Sequence, residues 1–302
     1  MTGDPFATHQ DIGLDAGPIR VYTAGPPDAP PVLLLHGAML DTAPLTWRHL
    51  MPALAASRRV IAVDLPRHGG SRPWSGVLDQ ARLEDVLTGL LDRLGLARVD
   101  VVGLSMGGGL AVGLALRRPE RVRGLVLLAP GGLDEVRPWQ FATWLLLRIG
   151  AVPRWTAAWL AASPKAVRAA LVREHPAGER TPDFAALVDL VHAEARAKRA
   201  HREGAFDDWQ VHAYGPRRMR LNHLPRLHLL AVPSLWLRGE HDTLVPEEVV
   251  RRAAAAAPGG RFASIEGAGH VSPLDRPDRV LELVDGFLGE LDTAGGPASG
   301  PA

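Results

Sequence analysis

The chain has no cysteine among its 302 residues. A disulfide framework, a thiol nucleophile and a thiolate metal site are therefore excluded. Neither sign of charge is in excess: 34 Lys and Arg stand against 33 Asp and Glu, a formal net charge of +1. That balance gives no sign of a nucleic-acid partner or a charged membrane surface. Local basic runs at 117–118, 194–203 and 217–220 are interleaved with Ala, Glu or apolar residues and read as solvated helix faces. Long hydrophobic runs are missing as well. The stretches 125–129 and 144–147 fall far short of the ~20 residues that span a bilayer. The start, 1–5, has neither the basic nor the apolar region of a signal peptide, so a cytoplasmic protein is expected.

What is present is an alternation of apolar runs and helical patterns. Residues 19–23, 32–35, 60–63, 99–104, 122–128, 234–237 and 261–265 read as strands. Residues 32–35 are a short, fully apolar run of Val and Leu, which implies a sheet covered on both faces, and several of the others are similar. Helical stripes lie between them: Trp47, Leu50 and Leu54; Leu83, Val86, Leu87, Leu90, Leu91 and Leu94; and the segments 110–116, 247–256 and 279–291. Strands alternating with helices imply parallel β-α-β units in a doubly wound α/β sheet.

From about 131 to 231 the alternation stops. Helix-like segments broken by Pro153, Pro164, Pro176, Pro182, Pro216 and Pro225 fill the stretch, and it holds Trp139, Trp144, Trp155, Trp159 and Trp209. So long an insertion between two strands cannot be a simple crossover. It is expected to be a helical cap over one end of the sheet, with a membrane-adhering or partner-binding subdomain as the alternative. Its Trp and Leu content suggests an apolar pocket, and His175, His192, His201, His212, His223 and His228, set among charges, read as exposed. The expected division is 1–130 and 232–292 as core, 131–231 as inserted cap and 293–302 as a disordered tail. The first few residues also read as unstructured.

Residues 99–109, VDVVGLSMGGG, carry an apolar strand into Gly-x-Ser-x-Gly and then into a helical pattern. A sharp strand-to-helix turn thrusts the Ser105 hydroxyl outward, and the flanking glycines are needed because a Cβ there would strike the neighbouring strand or helix. A hydroxyl is a poor nucleophile without a base. His270 is the candidate, since it follows a strand in the small-residue loop Glu266-Gly267-Ala268-Gly269-His270. A third group must hold the imidazole. Asp242, just beyond the strand at 234–237, is the natural choice, with Asp134 and then Glu240 behind it. The oxyanion needs two donors. Met106 N–H, directly after the nucleophile, is one; Ala38 N–H, in the loop His36-Gly37-Ala38-Met39, is the other. His36 is expected to be a structural hydrogen bonder, and Asp64 and His68 to organise the loop at 64–71.

Together LLLHGA (33–38), VDLPRHGGS (63–71), GLSMGGG (103–109), LRGEHDTLVP (237–246) and GAGH (267–270) make the chain resemble the α/β-hydrolase superfamily, in the branch with a His-Gly oxyanion loop and a helical cap. The likeness spans roughly 21–291. It implies a mostly parallel eight-stranded doubly wound sheet, a triad of Ser105, Asp242 and His270, and no metal or organic cofactor. Arg67 departs from the pattern, standing where the family usually has glycine, so the backbone of that loop is in question. A Ser nucleophile rather than Asp argues against the haloalkane dehalogenase and epoxide hydrolase branches. The expected reaction is carboxylesterase-like: hydrolysis of a small hydrophobic carboxylic ester through an acyl-enzyme on Ser105. A C–C bond hydrolase, lactonase or thioesterase with the same triad stays open, as does a non-hydrolytic biosynthetic enzyme or ligand-binding protein on the same fold. The expected partner is a small-molecule substrate, with no nucleic acid and no membrane. Oligomeric state is not legible.

Overall fold

Fully apolar strands need cover on both faces, and the computed structural model, which describes residues 5–149 and 151–294, supplies it. Its strands are β1 (Gln10–Leu14), β2 (Gly17–Ala24), β3 (Pro31–Leu35), β4 (Arg59–Val63), β5 (Val99–Leu104), β6 (Val122–Leu128), β7 (Ser234–Gly239) and β8 (Gly260–Ile265). Among the described residues they form an eight-stranded sheet in the order β1-β2-β4-β3-β5-β6-β7-β8. β2 runs antiparallel to both neighbours, and the remaining pairs are parallel.

The strand period of two divides the core. Leu33, Leu35, Ile61, Val63, Val101 and Leu125 point to one face, where helices Gln80–Arg93, Met106–Arg117 and Glu247–Ala256 pack. Val32, Leu34, Val60, Ala62, Val102 and Val126 point to the other, covered by Leu50–Leu54 and Pro277–Ala294. The alternation is invisible in the sequence because both faces are apolar.

Three features differ from the sequence reading. β1 has no apolar run: QDIGL is a largely exposed edge strand, held by pairing Gln10–Leu14 against Gly17–Val21 of β2. The last helix continues through Thr293, whose hydroxyl donates to Glu290 C=O at 2.8 Å, so it enters the segment expected to be tail. Residues 295–302 lie outside the described residues. The charge run at 194–203 is not a solvated face throughout. Glu194 and Lys198 turn inward and are nearly inaccessible. Glu194 pairs with Arg72, and Lys198 Nζ lies 2.7 Å from Asp207.

Between β6 and β7 come helices Gln140–Arg148, Ala151–Ala162, Pro164–Glu174, Phe184–Ala200 and Asp208–Ala213. Trp209 of Asp208–Ala213 packs into the core on the Leu33 face of the sheet. Three of the others, Ala151–Ala162, Pro164–Glu174 and Phe184–Ala200, share a separate apolar cluster built from Leu160, Val167, Leu171, Phe184 and Leu187, joined by Leu45 and Leu274 from the sheet side. Trp139, Trp155 and Trp159 are exposed rather than part of it. No helix of the described residues is long and apolar enough to cross a membrane.

Candidate active site

The loops that follow β3, β5, β7 and β8 converge at the carboxyl ends of the parallel strands, where ligands meet such sheets. β5 hands Ser105 to the helix Met106–Arg117 in a turn with φ +50° and ψ −112°. For a non-glycine residue this is a strained conformation, held because both flanks are fixed. Ser105 N–H donates to Leu128 C=O at 2.9 Å, and Ser105 C=O accepts from Gly109 and Gly131. A Cβ on Gly103 would lie 2.5 Å from Gly107 O, and one on Gly107 would lie 2.2 Å from Leu35 O. The glycines flanking Ser105 are therefore required by contact with the helix start and with β3.

His270 Nδ1 lies 2.9 Å from Asp242 Oδ2. The second oxygen, Asp242 Oδ1, accepts Leu244 N–H at 2.7 Å and Val245 N–H at 3.0 Å. Burial pushes the Asp242 carboxyl up, but the His270 ring and those two N–H donors outweigh it and hold it below the usual carboxylate value. With Nδ1 bonded to Asp242, Nε2 is the ring nitrogen left for base chemistry. Ser105 and His270 line one cavity of about 240 Å³. The alternatives to Asp242 are engaged elsewhere: Asp134 pairs with Arg137 at 2.9 Å, and Glu240 accepts Gly267 N–H.

The loop after β3 is pinned on both sides of Ala38. Gly37 N–H donates to Asp41 Oδ2 and Met39 N–H to Asp207 Oδ2, both at 2.6 Å. On the other wall, Gly107 N–H donates to His36 C=O at 3.1 Å, next to Met106. His36 is fully buried. Its Nδ1 contacts Gly37 C=O at 2.7 Å and its Nε2 accepts Leu65 N–H at 2.9 Å, a neutral tautomer in keeping with burial holding its pKa well below that of a free imidazole. Asp64 binds Ala43 N–H, Gly70 N–H and the Tyr22 hydroxyl, and so fastens the loop behind it. His68 Nδ1 contacts Pro66 C=O, and its Nε2 lies 3.3 Å from Asp207. Arg67 keeps a backbone suited to glycine, with φ +63°. That conformation costs a non-glycine residue about 1–3 kcal/mol; here Arg67 also donates to Asp208 at 2.7 Å and to Gly76 C=O at 2.8 Å.

Three residues at this site have no sequence signature. Asp41 lines the cavity and receives Gly37 N–H, Thr42 N–H and the Thr46 hydroxyl. Burial dominates these bonds and pushes its pKa up to about 6. Asp207 arrives from the start of helix Asp208–Ala213. Burial pushes its carboxyl up, but Lys198 and His68 more than offset this and keep it ionised. His175, expected to be exposed, is 2 % accessible and lines the same cavity as Ser105; His223 is buried as well.

Asp41 makes a checkable contribution to stability. Its folded pKa of about 6 exceeds its ordinary 3.8, so between those values the folded state binds more protons than the unfolded one. Stability attributable to this group falls as pH rises through that window and is level above it. Asp41→Asn is expected to gain on the parent between pH 4 and pH 7 in urea unfolding, on top of a constant loss from one broken hydrogen bond. A difference that does not change with pH contradicts the assignment.

Apart from Ser105, His270, Asp41, His175, Glu174 and Gln210, the cavity wall is mainly apolar, from Leu40, Leu104, Leu160, Val167, Leu171 and Leu187. Of the Trp and Leu that the sequence pointed to, Leu lines it together with Val, and no Trp stands among the described lining residues. No Lys or Arg stands among its described lining residues, whereas Asp41 and Glu174 do. A larger cavity of about 540 Å³ is charged, with Arg67, Lys198, Arg202 and Asp208 in its wall, and includes none of Ser105, Asp242 and His270. Among the described residues, no group of three or more His, Asp or Glu side chains is placed to hold a metal ion.

A family model described as alpha/beta hydrolase fold matches residues 30–277. The 2-hydroxymuconate semialdehyde hydrolase of Pseudomonas putida is 30% identical over 267 residues, 87% of this chain and 88% of that protein. Carboxylesterase YbfK of Bacillus subtilis is 26% identical over 280 residues, 90% of this chain and 84% of that protein. The crystal structure of that carboxylesterase, CesB (YbfK), matches with a TM-score of 0.72 at 24% identity, covering 93% of this chain and 91% of that one, which is a likeness of fold.

Proposed function

The chain belongs to the α/β-hydrolase fold family, and on that premise we propose that it is a serine hydrolase cleaving a hydrophobic carboxylic ester through an acyl-enzyme on Ser105. The observation that carries the reading is the 2.9 Å bond from His270 to Asp242, in a ring that shares an apolar cavity with Ser105. His270 Nε2 takes the Ser105 proton as Oγ bonds to the ester carbonyl carbon. The C–O bond of the leaving alcohol then breaks, and the alcohol takes that proton from His270. Water attacks the acyl-enzyme, giving its proton to the same nitrogen, and the acid departs as Ser105 regains the proton.

The oxyanion falls to the Ala38 and Met106 amides. Their neighbours Gly37, Met39 and Gly107 already donate elsewhere, and loss of one such donor typically lowers turnover ~10²–10³-fold. Residues 131–231 act as a cap over the core formed by 1–130 and 232–292. This assignment is supported by Leu160, Val167, Leu171 and Leu187, which wall the cavity above Ser105.

The muconate in one relative's name is a carboxylate. A cavity with two acidic side chains and no described Lys or Arg in its wall suits a neutral apolar ester better than an anion. The test is turnover of nitrophenyl esters of increasing chain length beside an anionic vinylogous diketone. The expected result is hydrolysis of medium-chain esters and no cleavage of the diketone. Cleavage of the diketone alone overturns the ester assignment.

A further inference from the structure

The wall of the Ser105 cavity holds a second histidine–carboxylate pair. His175 caps the helix Pro164–Glu174, and its Nδ1 lies 2.7 Å from Asp275 Oδ1. Asp275 Oδ2 accepts Gly269 N–H at 2.8 Å, one residue before His270. The two side chains are nearly inaccessible, at 1% and 2%. In the neutral ring whose Nδ1–H donates to Asp275, Nε2 is left with a lone pair. Nε2 is buried and has no hydrogen-bond partner in the protein. Asp275 is not part of the cavity lining, but His175 is. Its neighbours there include Val167, Leu171 and Leu274.

An acceptor held rigidly in an apolar wall is costly unless something donates to it. We propose that His175 Nε2 accepts a hydrogen bond from a hydroxyl group of the substrate, so that the ester cleaved at Ser105 carries a hydroxyl on an otherwise apolar chain. This rests on the ester-hydrolase reading above and narrows its substrate class. A carboxylate in the same place would meet Glu174 and Asp41 in the lining and no described Lys or Arg. Asp275 is the positioning residue: it fixes the His175 tautomer and ties the end of a cap helix to the loop that carries His270.

The test compares ester pairs differing by one hydroxyl, with a separate aliquot of the same preparation treated with fluorophosphonate to report a reactive Ser105. One series is nitrophenyl octanoate against isomers hydroxylated at each acyl carbon in turn. The other is alkyl butyrates against the matching diol monoesters. The parent enzyme is expected to prefer at least one hydroxylated isomer by about tenfold or more in kcat/KM, chiefly through KM. His175→Leu is expected to reduce that preference to about twofold or less. His175→Gln, which retains an acceptor oxygen, restores part of it and serves if the leucine variant does not fold. Asp275→Asn donates to Nδ1 and moves the ring proton to Nε2, so the keto analogue, an acceptor only, gains on the hydroxyl ester. A purely structural tie produces no such exchange. A preparation that labels in one aliquot and turns esters over in another, yet shows no hydroxyl preference at any position or a preference that survives His175→Leu, overturns the proposal alone. Absence of both labelling and turnover overturns the ester-hydrolase reading, and this proposal with it.

Discussion

Ser105→Ala is expected to lower ester turnover by about 10⁵–10⁶-fold while the protein remains folded. The size follows from what the hydroxyl does. Without Oγ there is no covalent intermediate, and His270 has no nucleophile to deprotonate. Residual rate comes only from water attacking an ester held beside the oxyanion donors, which in triad enzymes still exceeds the uncatalysed reaction by roughly 10³–10⁴. Folding is expected to survive because the bonds that shape the turn belong to the Ser105 backbone. Alanine keeps them, although φ +50° is no easier for it than for serine. Thermal unfolding and ester turnover measured on one preparation check both halves. Near-parent turnover in the alanine variant removes Ser105 from the mechanism.

Asp242→Asn is expected to cost roughly 10⁴-fold in kcat. The asparagine oxygen can still accept from Leu244 or Val245, so the loop after β7 retains much of its anchorage. The amide NH₂ then faces His270 Nδ1 at the position of the present 2.9 Å bond. A donor there forces Nδ1 to accept, and the ring proton moves to Nε2, where it blocks removal of the Ser105 proton. The carboxylate that balances the imidazolium is also lost. Turnover that recovers at high pH, where hydroxide can deprotonate the ring-bound system, is the accompanying signature. A loss below about tenfold would point to another carboxylate as the partner.

Legibility in the sequence followed burial and locality. β3, β5, β6 and β7 could be read because each carries a buried apolar run, broken only by Asp100 in β5, Arg123 in β6 and Ser234 and Arg238 in β7, whereas β1 relies on pairing with β2 and on little of its own chemistry. Ser105 and His270 could be singled out because each sits in a short glycine-bounded turn just after a strand, a signal confined to a few residues. The rest depends on contacts between distant segments. Met39 meets Asp207 across 168 positions and His175 meets Asp275 across 100, so neither pairing leaves a spacing to read. His175 looked like one of several exposed histidines among charges. Glu194 and Lys198 looked solvated because their partners Arg72 and Asp207 are not on their helix face. The tryptophans between β6 and β7 suggested a pocket lining, but Trp139, Trp155 and Trp159 face outward.

The most direct test of a Ser105 acyl-enzyme is rapid-quench kinetics with a medium-chain nitrophenyl ester, followed by mass mapping of the quenched protein. The account predicts a burst of nitrophenolate stoichiometric with the chain and the acyl group on the peptide containing Ser105. Turnover with no burst and no acylated peptide even at saturating ester, or an acyl group carried on any residue other than Ser105, contradicts it.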